Sequence, residues 1–107
     1  MLPDLLPAEE ETQANIGGWG MRHNRFLKEN HRVLYASLMT SGKLVTYLDD
    51  IEQQATDMFL RLVKELAEKE NVNEELKATD MMLWVQKMNN IRNRATEIVN
   101  ADIIYEV

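Results

Sequence analysis

Two histidines, a cluster of carboxylates and a glycine-rich turn are the parts of this chain whose residue types could support chemistry. His23 and His31 stand eight positions apart. Two metal ligands on one helical face need a spacing of about four. The pair therefore reads as polar residues at the surface or the core rim, and no metal is expected. Asp49, Asp50, Glu52 and Asp57 carry enough charge for a cation. A helical di-metal site also needs a Glu-x-x-His pair from a second helix, which the chain lacks. These carboxylates are expected to form a solvated helix face.

Gly17-Gly18-Trp19-Gly20 is not a phosphate loop. No strand pattern precedes it, and no Gly-Lys-Ser/Thr follows. Its glycines are expected to loosen the entry to a helix. With no cysteine there is no thiolate and no disulfide. No Ser–His–acid set stands in a recognisable context. Catalytic residues and cofactors are therefore not expected, and neither is enzymatic activity. Seven methionines invite a promiscuous-groove reading, but methionines at helical spacing read more often as core.

Basic residues offer the most credible functional surface. Arg22, Arg25, Lys28 and Arg32 recur at steps of three and four, with Phe26 and Tyr35 interleaved and Lys43 further on. Such a patch neutralises phosphates, steers an acidic partner, or balances acidic helices; all three readings stay open. A helix-turn-helix across Gly42 has plausible spacing. Its second helix, however, would present Asp49, Asp50 and Glu52 to phosphates, which argues against a major-groove reader in that register. Arg92 and Arg94, with Asn89, Asn90 and Asn93, form a second polar group. Asn and Arg read bases well, but beside an apolar seam they more often fix the register of a neighbouring helix.

Helices must position these residues. Residues 1–17 contain Pro3, Pro7 and an acidic run without a helical stripe, and read as an extended or disordered tail. A single helical domain over 18–107 follows. A short helix is expected over Met21–Lys28, then either a second helix to about Thr40, capped by Asn30, or one helix interrupted there. Gly42 suits the left-handed residue that ends a helix. A long helix over Lys43–Lys69 follows from Leu44, Leu48, Ile51, Ala55, Met58 and Leu62, which repeat at steps of four and three. Asn71-Val72-Asn73 reads as a turn with Asn73 as N-cap. The last helix is expected to run unbroken from Glu74 to about Ile103, with Trp84, Met88, Ile91, Ala95 and Ile98 on one face and Trp84 in the core.

The expected architecture is all-α: an antiparallel hairpin of two long helices covered by shorter N-terminal helices. Phe59, Val63, Met82 and Val85 would form a belt too broad for one seam. Either Trp19 and Phe26 cover it from the N-terminal helices, or a second copy does, and the polar interruption at Asn30 favours a homodimer.

A chain of 107 residues is one domain by size. Net charge is −6, unevenly spread: −4 over residues 1–15, +4 over 16–43 and −6 over 44–107. An acidic total excludes uniform coating by nucleic acid. No apolar run approaches the ~18 residues that span a bilayer, so no membrane role is expected. The opening residues, with Asp4 and no base, make a poor signal peptide. A mean hydropathy of −0.40 and the lack of cysteine suit the cytoplasm.

Several blocks together resemble one family. They are Ile16-Gly17-Gly18-Trp19-Gly20, Phe26-Leu27-Lys28-Glu29, Ser41-Gly42-Lys43-Leu44 and Tyr47-Leu48-Asp49-Asp50-Ile51. Further on come Trp84-Val85, Met88-Asn89-Asn90-Ile91-Arg92-Asn93-Arg94-Ala95 and Ile104-Tyr105. In order and spacing they resemble the TnpV family of transposon-encoded proteins, from about Leu5 to Tyr105. Where relatives often have proline after the His-Arg pair, this chain has Val33. The resemblance implies an accessory protein of a bacterial mobile element, acting beside a recombinase or another transposon protein, or on DNA during recombination. It brings no catalytic residues. An excisionase-like DNA-binding factor using residues 22–43 is the alternative expectation.

Overall fold

The computed structural model describes residues 17–107. Residues 1–16, which hold nearly all of the expected tail, lie outside the described residues. The described chain forms α1 (Gly17–Asn30), α2 (Arg32–Thr40), α3 (Leu44–Lys69), α4 (Glu74–Thr79), α5 (Met81–Val99) and a π-helical turn, Asn100–Ile104. No strand occurs among the described residues. The fold is the expected all-α one.

Local chemistry sets most boundaries. α2 ends in a Schellman motif: Lys43 N–H donates to the Leu38 carbonyl at 3.0 Å, and Gly42 N–H to Met39 at 3.1 Å. Gly42 takes φ +74° there, as such a cap requires. α3 ends the same way, with Asn71 at φ +60° in the glycine position. Val72 N–H reaches back to the Ala67 carbonyl at 2.8 Å, and its side chain is buried. Asn73 then caps α4, its side chain accepting from Leu76 N–H at 3.0 Å.

Three boundaries differ from expectation. α1 starts at Gly17 and takes in the whole glycine-rich segment instead of beginning at Met21. Asn30 does not cap α2; it remains in α1 and donates to the Phe26 carbonyl, and the break falls at His31. The last helix is not continuous. Asp80 leaves the helical conformation and its carboxylate accepts from Leu83 N–H at 3.1 Å, so it caps α5 and separates it from α4. An Asp ahead of an apolar run is a strong helix start, and here it outweighs the periodicity on both sides.

α1 runs antiparallel to α3, with the Trp19 and Phe59 rings in tilted contact at 5.7 Å and His23 beside Tyr47. α5 also runs antiparallel to α3: Arg94 meets Glu70, while Val99 and Ile104 pack with Ala55. The α3 stripe behaves as its spacing predicts, with Leu48 and Ala55 buried and Ile51, Met58 and Leu62 half-buried. The core joins α1, α3, α5 and the π-helical turn through Leu27, Leu48, Ala55, Ile91, Ala95, Val99 and Ile104. Each large side chain among them contributes roughly 1.5–3 kcal/mol by leaving water. Nothing on α2 is buried.

The register of the hairpin is offset. Glu70, just past the end of α3, pairs with Arg94, thirteen residues into α5. At 1.5 Å per residue, Met81 lies roughly 20 Å beyond that contact. The residues from Asn71 to Asp80 must span the same distance, so α4 runs outward beside the first half of α5. These two segments form an arm past the end of the core. Met82 and Val85 therefore lie on the arm, not beside Phe59 and Val63, and no single belt unites the four. Trp84 is half-buried, not core, and its ring is covered by the Lys77 ammonium at 4.8 Å.

Candidate functional site

The polar residues divide into those that hold the helices together and those left in solvent. His23, expected at the surface or core rim, is fully buried. Its Nδ1 lies 2.6 Å from the Ile104 carbonyl, which can only accept, so Nδ1 carries the hydrogen. In the neutral ring Nε2 then accepts from the Tyr47 hydroxyl at 2.9 Å. One imidazole thus ties α1, α3 and the π-helical turn. That turn supplies the free carbonyl, because it closes with Tyr105 N–H on Asn100 at 2.8 Å. Burial pushes the His23 pKa below its usual value; the Ile104 bond opposes this and nearby His31 adds to it. Burial also raises the Tyr47 hydroxyl.

Glu52 is not part of a solvated face. Its carboxylate accepts from Gly20 N–H at 2.8 Å and from the Thr56 hydroxyl at 3.1 Å. The first turn of α1 has unpaired N–H groups and a partial positive charge, and α3 supplies the missing acceptor. A Cβ on Gly17 would stand 2.7 Å from that carboxylate, and Gly17 has φ +83°. The glycine segment is therefore a close-approach surface for Glu52. Asp49, Asp50 and Asp57 are exposed as expected. No group of three or more potential metal ligands occurs among the described residues.

The seven candidate bases separate along the same line. Arg22 turns inward, stacking over Trp19 at 5.1 Å and donating to Asn100 at 3.0 Å. Arg94 makes a two-pronged contact with Glu70 at 2.7 and 2.9 Å. That bond holds the Glu70 carboxyl below its usual range and raises the Arg94 guanidinium. Arg94 thus fixes helix register, the structural option open for it in the sequence. Arg25, Lys28, Arg32, Lys43 and Arg92 are exposed. Lys43 lines a shallow hollow that also contains Asp50, and Arg92 lies on α5.

Arg25, Lys28 and Arg32 stay together. They follow one another at steps of three and four across the α1–α2 elbow. The Lys28 ammonium sits 5.7 Å from the Tyr35 ring, so α1 and α2 approach each other on this side of the break at His31. The arm carries the other surface. Met81 is 51% exposed, Met82 74% and Val85 42%. The periodicity marked these residues as apolar but not as bare, because only the offset register removes α3 from beside them.

No described helix is long and apolar enough to cross a membrane. The described chain is an all-helical assembly with a polar-pinned core, an apolar arm and an exposed basic elbow. It belongs to the TnpV family: residues 1–104 match the family described as transposon-encoded protein TnpV. A transposon-associated role follows from that membership. No curated protein and no solved structure matches the chain.

Proposed function

We propose that this chain is a non-enzymatic accessory protein of a bacterial transposon, working in the host cytoplasm by binding a macromolecular partner. The apolar arm is the observation that supports this reading most. Met81, Met82 and Val85 project beyond the core on a capped helix. Bare apolar groups gathered on one rigid element suit a protein interface. The element's recombinase, another transposon protein or a second copy of the chain would fit there. Co-purification with the recombinase, for wild type and for Met82→Lys, tests the reading; a complex that survives the substitution removes the arm from it.

A second reading, an excisionase-like DNA-binding factor, draws on the elbow. Arg25, Lys28 and Arg32 are solvent-facing, and the one ion pair among the described residues joins Arg94 and Glu70. Mobility shifts at two salt concentrations separate the readings. Binding that weakens steeply with salt supports phosphate contact; no shift with transposon-end DNA leaves the protein partner.

A further inference from the structure

We infer that the α1–α2 elbow is a sequence-independent docking surface for the phosphate backbone of duplex DNA, made by Arg25, Lys28 and Arg32 and not by the remaining candidate bases. The inference rests on the second reading above and narrows it to one face. The buried residues of α1 are Gly20, His23, Asn24 and Leu27. Arg25 stands on the opposite side of the helix from them, and Lys28 about a quarter-turn away, on the flank. Arg32 continues the stripe into α2, and Tyr35 follows it after one more step of three. Exposed Lys28 also lies 5.7 Å from the Tyr35 ring across the elbow.

Spacing and charge fit a duplex. Arg25 and Lys28 are three positions apart on α1, about 4.5 Å along its axis, and Arg32 opens α2 just past the break at His31. Successive phosphates of one DNA strand advance about 3.4 Å along the axis, so Arg25 and Lys28 can meet neighbouring phosphates and Arg32 a further one. Glu29 is the acidic residue inside the stripe, leaving a net positive charge on this face. Residues 44–107 sum to −6. The described surface they form therefore repels DNA, which leaves the elbow as the face that admits it. Arg22 and Arg94 are spent on Asn100 and Glu70. Lys43 shares its hollow with Asp50.

The experiment is fluorescence anisotropy of the full chain with a short labelled duplex of arbitrary sequence. Three phosphate contacts predict a salt slope near −2.7, so binding should weaken about 40-fold between about 50 and 200 mM salt. The triple variant Arg25→Gln, Lys28→Gln, Arg32→Gln should melt like wild type, because all three side chains are exposed. It should lose nearly all of that slope, whereas Arg92→Gln should keep it. A triple variant with unchanged affinity and slope overturns the inference but leaves DNA binding itself standing. Absence of wild-type binding to any duplex removes both. Wild type that ignores DNA but binds a poly-glutamate peptide through these residues reassigns the elbow to an acidic protein and also overturns it.

Discussion

The amide of Gly20 donates to the carboxylate of Glu52 at 2.8 Å, across 32 positions of sequence. This bond closes the open end of α1 with a side chain from α3. Glu52→Ala should lower the unfolding free energy by about 1–2 kcal/mol, as loss of a charged helix cap does. Glu52→Gln, which keeps an acceptor, should recover part of the loss. Urea denaturation of the two variants measures it, and equal stability of all three proteins would show that the carboxylate does not hold α1.

The two glycines at the start of α1 should respond oppositely to alanine. Gly17 has φ +83° and meets the Glu52 carboxylate, whereas a Cβ on Gly18 meets nothing within 4 Å. Gly17→Ala should destabilise by about 1 kcal/mol or more. Gly18→Ala should be neutral or stabilising by up to about 1 kcal/mol, since alanine favours the helix. Thermal melts of the pair make the comparison within one turn of helix.

Acid should loosen the node around His23. Its folded pKa is depressed by burial, so the unfolded chain takes up the proton more readily. The contribution of this group is complete above the unfolded value of about 6.5 and declines as pH falls through it towards the lower folded value. Protonation also turns Nε2 from acceptor to donor against Tyr47. Chemical denaturation from neutral to mildly acidic pH should show that decline. In His23→Gln it should be flattened, with lower stability throughout. A wild-type protein that gains stability on acidification would contradict the assignment.

Trp84 gives a graded test of the offset register. A fully buried tryptophan costs about 3–5 kcal/mol on truncation. Trp84 is half-buried beneath Lys77, and Trp84→Ala should cost about 1–2 kcal/mol, including the loss of a cation–π contact. A cost at the core level, read from denaturant midpoints, would place α3 beside the arm after all.

Association should depend on the arm and stability should not. Met82→Lys changes a side chain that is 74% exposed and should shift stability by less than about 0.5 kcal/mol. If the bare face joins two copies, wild type should sediment as a dimer at tens of micromolar, about tenfold above a micromolar Kd, and the variant as a monomer. Monomeric wild type would reject the homodimer and leave the face for a different partner.

Features that depend on near neighbours are legible in the residues alone. The step-of-four-and-three repeat of Leu48, Ile51, Ala55 and Met58 fixed α3, because side chains three and four apart share a helix face. Gly42 and Asn73 marked a stop and a start through backbone and side-chain bonds within a few residues. Order and spacing of the sequence blocks were enough for the family resemblance. The tertiary structure decided everything that joins distant positions. Glu52 looks like one more surface acid until α1 is laid against α3. His23 looks like a lone polar residue until the π-helical turn brings the Ile104 carbonyl to it. Arg22 and Arg25 have the same chemistry, and only the rotation of α1 turns one towards Asn100 and leaves the other in water. The Asp80 cap has a local signal, an acid ahead of Met81, but its consequence is not local. It frees α5 to slide until Arg94 meets Glu70, and that shift of about 20 Å leaves Met81, Met82 and Val85 beyond the reach of α3.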